Sequence, residues 1–165
     1  LTVPVHGLVT VRVVEDGEIV DEVSASNVVT LNGLTALAQA LMWSGVQDQA
    51  TILGMTTPIF LTPLYGAVGQ GNGTPSNQDT ALFSELARTT VTGGGSLQAD
   101  SQNGAQTVWS FAFGITSQTW TITEAGVFAN ASPSSGTLVN HAVLPSPVTK
   151  NPNAQIQLQI SLTLG

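Results

Sequence analysis

A chain of 165 residues with no cysteine, a net charge of −7 and only 8% charged residues is long enough for one domain with a real core, and it owes nothing to disulfides or thiol-bound metal. Its cations are Arg12, Arg88 and Lys150, too few for the basic stripe that phosphates require, so nucleic acid is excluded as a partner. Soluble domains average about 25% charged residues, so a chain this poor in charge, yet 42% hydrophobic, is expected to have much of its surface covered by neighbours.

Val9, Val11 and Val13 alternate with Thr10 and Arg12, the period of a half-buried strand. Asp16-Gly17 reads as a two-residue hairpin turn, because both central positions of a type I′ turn need positive φ, and Ile19 to Val23 is the returning strand. Five of the ten acids (Glu15, Asp16, Glu18, Asp21, Glu22) crowd this hairpin and read as a solvated tip. Asn27 to Thr30 continues extended. Leu34, Leu37, Ala38, Leu41 and Met42 then follow the i, i+3, i+4, i+7, i+8 spacing, which predicts one amphipathic helix over about 31–44, packed on a sheet by that stripe and stopped at Gly45.

From Gln47 to Pro63 the pattern is irregular but apolar, with Ile52, Leu53, Met55, Ile59, Phe60 and Leu61 and a single charge, Asp48. Exposed on a monomer, it would form a larger apolar patch than soluble proteins normally tolerate. It is expected to contact another chain. Tyr65 to Val68 reads as a short strand, and Asp79 as the cap of a short helical turn through Leu82, Phe83 and Leu86. Thr89 to Val91 is extended until Gly93-Gly94-Gly95 breaks it. Strands follow around Trp109, Phe111 and Phe113, from Trp120 to Phe128, and over Leu138 to Leu144, with Pro145 to Pro152 as a turn-rich connector.

The last eleven residues alternate without a break. Ile156, Leu158, Ile160, Leu162 and Leu164 form an apolar face; Gln155, Gln157, Gln159, Ser161 and Thr163 form the other. That second face is polar yet uncharged, whereas exposed strands are normally guarded by charge. It can hydrogen-bond to a partner and is cheap to desolvate. Together these elements predict a single β-rich domain over 1–165, mainly β, as an antiparallel β-sandwich or open barrel with one helix.

Sites of chemistry are scarce. Gly69-x-Gly71-x-Gly73 lacks the long helix and the Lys-Ser/Thr pair of a phosphate loop, since Thr74-Pro75-Ser76-Asn77 intervenes, and reads as a flexible turn. Neither His6 nor His141 has a ligand at helical or hairpin spacing. Ser96 lacks a nucleophile elbow. Glu124 is the one acid inside an apolar strand, and a structural role through hydrogen bonds to backbone or hydroxyl is expected. No catalytic, cofactor-binding or metal-ligating residue is assigned. No apolar run approaches the roughly 20 residues of a membrane span, and no signal peptide is visible, although Leu1 in place of Met hints at a missing or cleaved leader.

Thr123-Glu124-Ala125-Gly126-Val127-Phe128 resembles the T-E-A-G-L/I-F segment of small structural proteins of tailed bacteriophages. Asn27-Val-Val-Thr-Leu-Asn-Gly33-Leu-Thr-Ala-Leu-Ala38 is similar to their early segment, and Val68-Gly-Gln-Gly-Asn-Gly-Thr-Pro75-Ser-Asn-Gln-Asp79-Thr-Ala-Leu82-Phe-Ser-Glu85 to their glycine-rich one. The alternating C-terminal strand completes the set, in the family's order; the stretch between Gly45 and Tyr65 is longer than the family pattern. The resemblance implies a non-enzymatic virion component without cofactor, either a tail-fibre, tail-tip or collar protein or a capsid decoration (cement) protein. It would assemble in the bacterial host cytoplasm with itself, as a trimer by preference, and with other virion proteins. Ile52, Leu53, Met55, Ile59 and Phe60 of the loop and Gln155, Gln157 and Gln159 of the last strand are the expected contacts. The competing expectation is a carbohydrate- or receptor-binding β-sandwich using Trp43, Trp109, Trp120 or Tyr65 as stacking platforms.

Overall fold

The computed structural model describes residues 5–38, 64–100, 104–133 and 136–164. Eight strands make up most of it: β1 Val5–Glu15, β2 Glu18–Val29, β3 Tyr65–Gly69, β4 Glu85–Asp100, β5 Gly104–Phe113, β6 Trp120–Phe128, β7 Leu138–Lys150 and β8 Gln155–Leu164. They form a closed barrel in the order β1-β2-β7-β6-β3-β4-β5-β8, and every neighbouring pair is antiparallel. The chain is mainly β as expected, but the sheet closes where a sandwich or open barrel was predicted. Closure comes from β1 lying against β8 and β2 meeting β7, pairings between segments far apart in sequence that no local pattern encodes.

The β1–β2 turn is the two-residue Asp16-Gly17 hairpin, with φ of 51° and 85°. Two other expectations fail for a shared reason. Gly93-Gly94-Gly95 does not end β4; the ladder passes from Val91↔Phe111 to Gly95↔Trp109, so three residues bulge against one. Pro145 and Pro147 do not end β7 either, because between Ile122↔Val148 and Glu124↔Val143 four residues of β7 face one of β6. Glycine and proline sit where the ladder is interrupted and no donor is needed.

Inside the barrel, Val9, Val11, Val13, Val68, Phe111, Ile122, Val127, Val148, Ile156, Leu158 and Ile160 form one buried cluster, joined at its rim by Trp109 and Trp120. A second, smaller cluster of Ala67, Leu82, Phe128 and Leu138, with Tyr65 against it, lies on the outer face of β3, β6 and β7. The segment between β3 and β4 roofs it through Leu82. Arg88 seals its edge, stacked 3.6 Å above the Phe128 ring and bonded to Glu85.

Helix α1 covers residues 31–38 of the described chain; the rest of the predicted 31–44 span lies outside the described residues. Thr30 caps it, its Oγ1 accepting from Gly33 N at 3.1 Å. The buried face differs from the predicted stripe: Gly33 and Ala36 are buried while Leu34 and Ala38 are exposed. Gly33 packs so closely on the Val139 carbonyl that a Cβ would stand 2.1 Å from it. Backbone contact, not the leucine spacing, orients this first turn. Nor is there a helical turn after Asp79; its carboxylate accepts from Ser76 N at 2.9 Å, closing a turn backwards, and Leu86 belongs to β4.

Ile160 is fully buried at the centre of β8. Ile160→Lys is expected to cost about 3–5 kcal/mol as an uncompensated buried charge and to abolish soluble expression. A soluble variant with an unchanged denaturant midpoint would show that the apolar face of β8 does not carry the core.

Candidate functional site

Two features stand out on the barrel wall, a buried carboxylate–imidazole cluster and an uncharged outer face. The cluster begins with register. Glu124 pairs with Val143 and Gly126 with His141, so Glu124 and His141 project from the same, outer side of the sheet. Both side chains are fully buried. Glu124 Oε1 accepts from Gly71 N at 2.8 Å and Ser84 N at 2.7 Å; Oε2 accepts from Phe83 N and from His141 Nε2, both at 2.9 Å. His141 Nδ1 lies 2.7 Å from Asp79 Oδ2. The Thr123 hydroxyl donates to the Gly71 carbonyl at 2.6 Å.

Ionised carboxylates only accept hydrogen bonds, so a ring bonded to two of them must donate from both nitrogens, which only the imidazolium can do. Burial alone would push the Glu124 pKa up. The bonds from His141, Ser84, Phe83 and Gly71 outweigh it and leave the carboxyl below its ordinary range. For His141, burial alone would lower the pKa; the hydrogen bonds and charges of Glu124 and Asp79 outweigh it and raise it. The group is therefore a buried Asp⁻–His⁺–Glu⁻ chain. His141 keeps no lone pair for a metal or a nucleophile, and the Phe83 ring covers it at 4.7 Å.

The glycine-rich segment read as a flexible turn is instead wrapped on this carboxylate. A Cβ on Gly69 would stand 2.5 Å from Glu124 Oε1, and one on Gly71 2.6 Å from the same atom and 2.3 Å from Phe83 Cβ. The glycines are there for close approach. Sequence spacing left His141 without partners because its two carboxylates lie 62 and 17 residues away. The signal that could have found them is the Glu124 anomaly itself, an acid in an apolar strand.

The second feature is the outer face of β1, β8 and β5. Gln157, Gln159, Ser161 and Thr163 of β8 are flanked by Arg12, Thr10, Leu8 and His6 of β1 and by Ala112, Ser110, Val108 and Gln106 of β5. Its single formal charge, Arg12, is paired with Glu22. The surface is troughed: Thr10, Ser161 and Val108 point outward yet are only 7%, 8% and 9% exposed. Two concavities of about 210 and 270 Å³ lie along it. Gln155 and Gln157 are exposed and Gln159 half-buried, bonded to Arg12 at 3.1 Å. Ile52, Leu53, Met55, Ile59 and Phe60 lie outside the described residues, as does Trp43. Tyr65, Trp109 and Trp120 are half-buried and pack against the two cores.

Removing the Glu124 side chain orphans four N–H groups, those of the Gly71, Phe83 and Ser84 backbone and of the His141 ring, each worth about 1–3 kcal/mol where it is buried. Glu124→Ala is expected to be strongly destabilised, and loss of amide protection at Gly71, Phe83 and Ser84 should accompany it. Linkage gives a second expectation. The depressed pKa of Glu124 stabilises above its unfolded value of about 4.3 and is lost on acidification; the raised pKa of His141 stabilises below its unfolded value of about 6.5 and is lost as pH rises through the folded value. The stability difference between the native chain and His141→Gln is therefore expected to be largest between these two values and to shrink toward alkaline pH, as thermal melts would measure. A difference independent of pH would show that the ring is uncharged.

Comparison with protein-family models, curated proteins and solved structures finds no match to this chain.

Proposed function

We propose that the chain is a non-enzymatic structural subunit of a tailed-phage particle. It assembles with copies of itself, as a trimer, and with neighbouring virion proteins, as a tail or fibre component or a capsid decoration protein. The observation that carries this reading is the uncharged trough on β1, β8 and β5. Two copies of a −7 chain, whose exposed acids among the described residues crowd the β1–β2 hairpin, repel where those hairpins approach; the trough lets them meet with no carboxylate opposite a carboxylate, and closed symmetry uses one such face repeatedly. Its Gln, Ser and Thr side chains supply both donors and acceptors. The resemblance adds support. The three short motif segments converge in space: Gly71, Phe83 and Ser84 of one donate to Glu124 of another, Asp79 of the first reaches it through the His141 ring, and Leu31 of the third donates its N–H to the Asn77 carbonyl at 2.8 Å.

Light scattering on the purified chain is expected to give a trimer. Ser110→Glu with Gln157→Glu places two carboxylates per copy on the exposed trough. Because a desolvated unpaired charge costs several kcal/mol, this variant is expected to dissociate into folded monomers that keep the native circular-dichroism spectrum and melt lower by the lost subunit contacts. A strictly monomeric native chain at high concentration would overturn the reading.

A further inference from the structure

The glycine-rich wrap on Glu124 contains a reactive pair of residues that the carboxylate cluster does not use. Asparagine followed by glycine is prone to spontaneous ring closure, because a residue without a Cβ lets its main-chain nitrogen approach the asparagine carboxamide. The chain holds three such pairs, Asn32-Gly33, Asn72-Gly73 and Asn103-Gly104; Asn103 lies outside the described residues. The fold treats the other two in opposite ways. Asn32 lies in the first turn of α1, where Gly33 is buried against the Val139 carbonyl and its N–H is bonded to Thr30 Oγ1 at 3.1 Å. To attack Asn32, that nitrogen would have to give up its bond and leave helical geometry. Asn72 and Gly73 are both exposed and belong to no strand or helix. Among the described residues, neither the Asn72 carboxamide nor the Gly73 N–H has a hydrogen-bond partner. The preceding residue is the anchored one: Gly71 N donates to Glu124 Oε1, and the Gly71 carbonyl accepts from the Thr123 hydroxyl.

We propose that Asn72 is a spontaneous deamidation site whose isoaspartyl product loosens the roof over Glu124. Gly73 N attacks Asn72 Cγ. The N–Cγ bond forms, the Cγ–Nδ2 bond breaks, and Nδ2 leaves as ammonia with the proton that Gly73 N gives up. Water then opens the succinimide ring. Cleavage at Cγ restores the main chain as aspartate; cleavage at the Asn72 carbonyl carbon routes the main chain through Cβ and Cγ as isoaspartate. Water is the only co-reactant, so the conversion advances with the age of the protein. Either product adds a carboxylate beside Gly71. Isoaspartate also inserts a main-chain carbon between Gly71 and Gly73, and the neighbours leave little slack for it. A Cβ on Gly71 would stand 2.3 Å from Phe83 Cβ, and one on Gly73 2.7 Å from the Phe83 ring. The inserted atom therefore displaces Gly71 or Phe83, and both donate to Glu124.

The test is incubation of the full chain in mildly alkaline buffer, with peptide mapping by mass spectrometry at intervals. Asn72 is expected to convert about tenfold or more faster than Asn32, whose reaction waits on local opening of α1. In urea, with both pairs unfolded, the two rates are expected to converge. Gly73→Ala is expected to slow conversion at Asn72 severalfold, since the added Cβ hinders the attacking nitrogen. That Cβ meets the ring of Phe83, a side chain 45% exposed with room to turn, and an unchanged circular-dichroism spectrum checks the fold; if this variant does not fold, the comparison of Asn32 with Asn72 decides. The isoaspartyl form, separated by chromatography, is expected to lose amide protection at Gly71, Phe83 and Ser84. Asn72→Asp, which adds the charge without the extra atom, is expected to keep it. Equal rates at Asn32 and Asn72 in the folded chain would overturn the proposal. A rate difference that persists in urea would do the same, by tracing it to sequence context alone, as would undiminished conversion in folded Gly73→Ala. Native protection in the isoaspartyl form, or lost protection in Asn72→Asp, would overturn the effect of the inserted atom on the roof.

Discussion

The carboxylate of Glu124 is the constraint around which one whole side of the molecule is arranged. An isolated carboxylate at zero exposure costs several kcal/mol, and no single neighbour on its own strand could satisfy it. Four donors do so, from Gly71, Phe83, Ser84 and His141. They come from two separate segments, so the charge cannot be buried until the β3–β4 connection and β7 are both in place. The connection becomes an ordered roof, and its residue Leu82 completes the outer core. Because four donors occupy the Glu124 carboxylate, it is held rigidly in place.

The second organising fact is where charge has gone. Each of the three cations is committed inside the molecule: Arg12 to Glu22, Arg88 to Glu85 beneath a stacked Phe128, and Lys150 to carbonyl and hydroxyl oxygens beside Trp120. Among the described residues, the charge left exposed is negative and concentrated on the β1–β2 hairpin, while the opposite side of β1 looks onto a neutral trough. One strand thus lies between a neutral trough and an acidic hairpin. Barrel closure sharpens this division. Where ladders are complete there is no edge to share, and association has to use side-chain faces.

Much of this was legible in the order of the residues, and the parts that were not share a physical cause. The alternation of β8, the Asp16-Gly17 turn and the strand character of β1, β5 and β6 are local properties, set by period-two patterning and by φ preference. The oddity of Glu124 and the neutrality of Gln157 and Gln159 were equally plain. What the order of residues could not reveal is which segments meet. Closure of the sheet depends on β1 finding β8 and β2 finding β7; the glycine and proline runs become bulges only because a partner strand continues past them; and His141 becomes a buried cation only because Asp79 and Glu124 arrive from distant positions. The first turn of α1 shows the same limit, since the approach of Gly33 to Val139 overrides the leucine spacing. Local pattern determines which face of each element is apolar; only the tertiary structure decides what that face meets, because burial and hydrogen-bond satisfaction are settled between segments rather than within them.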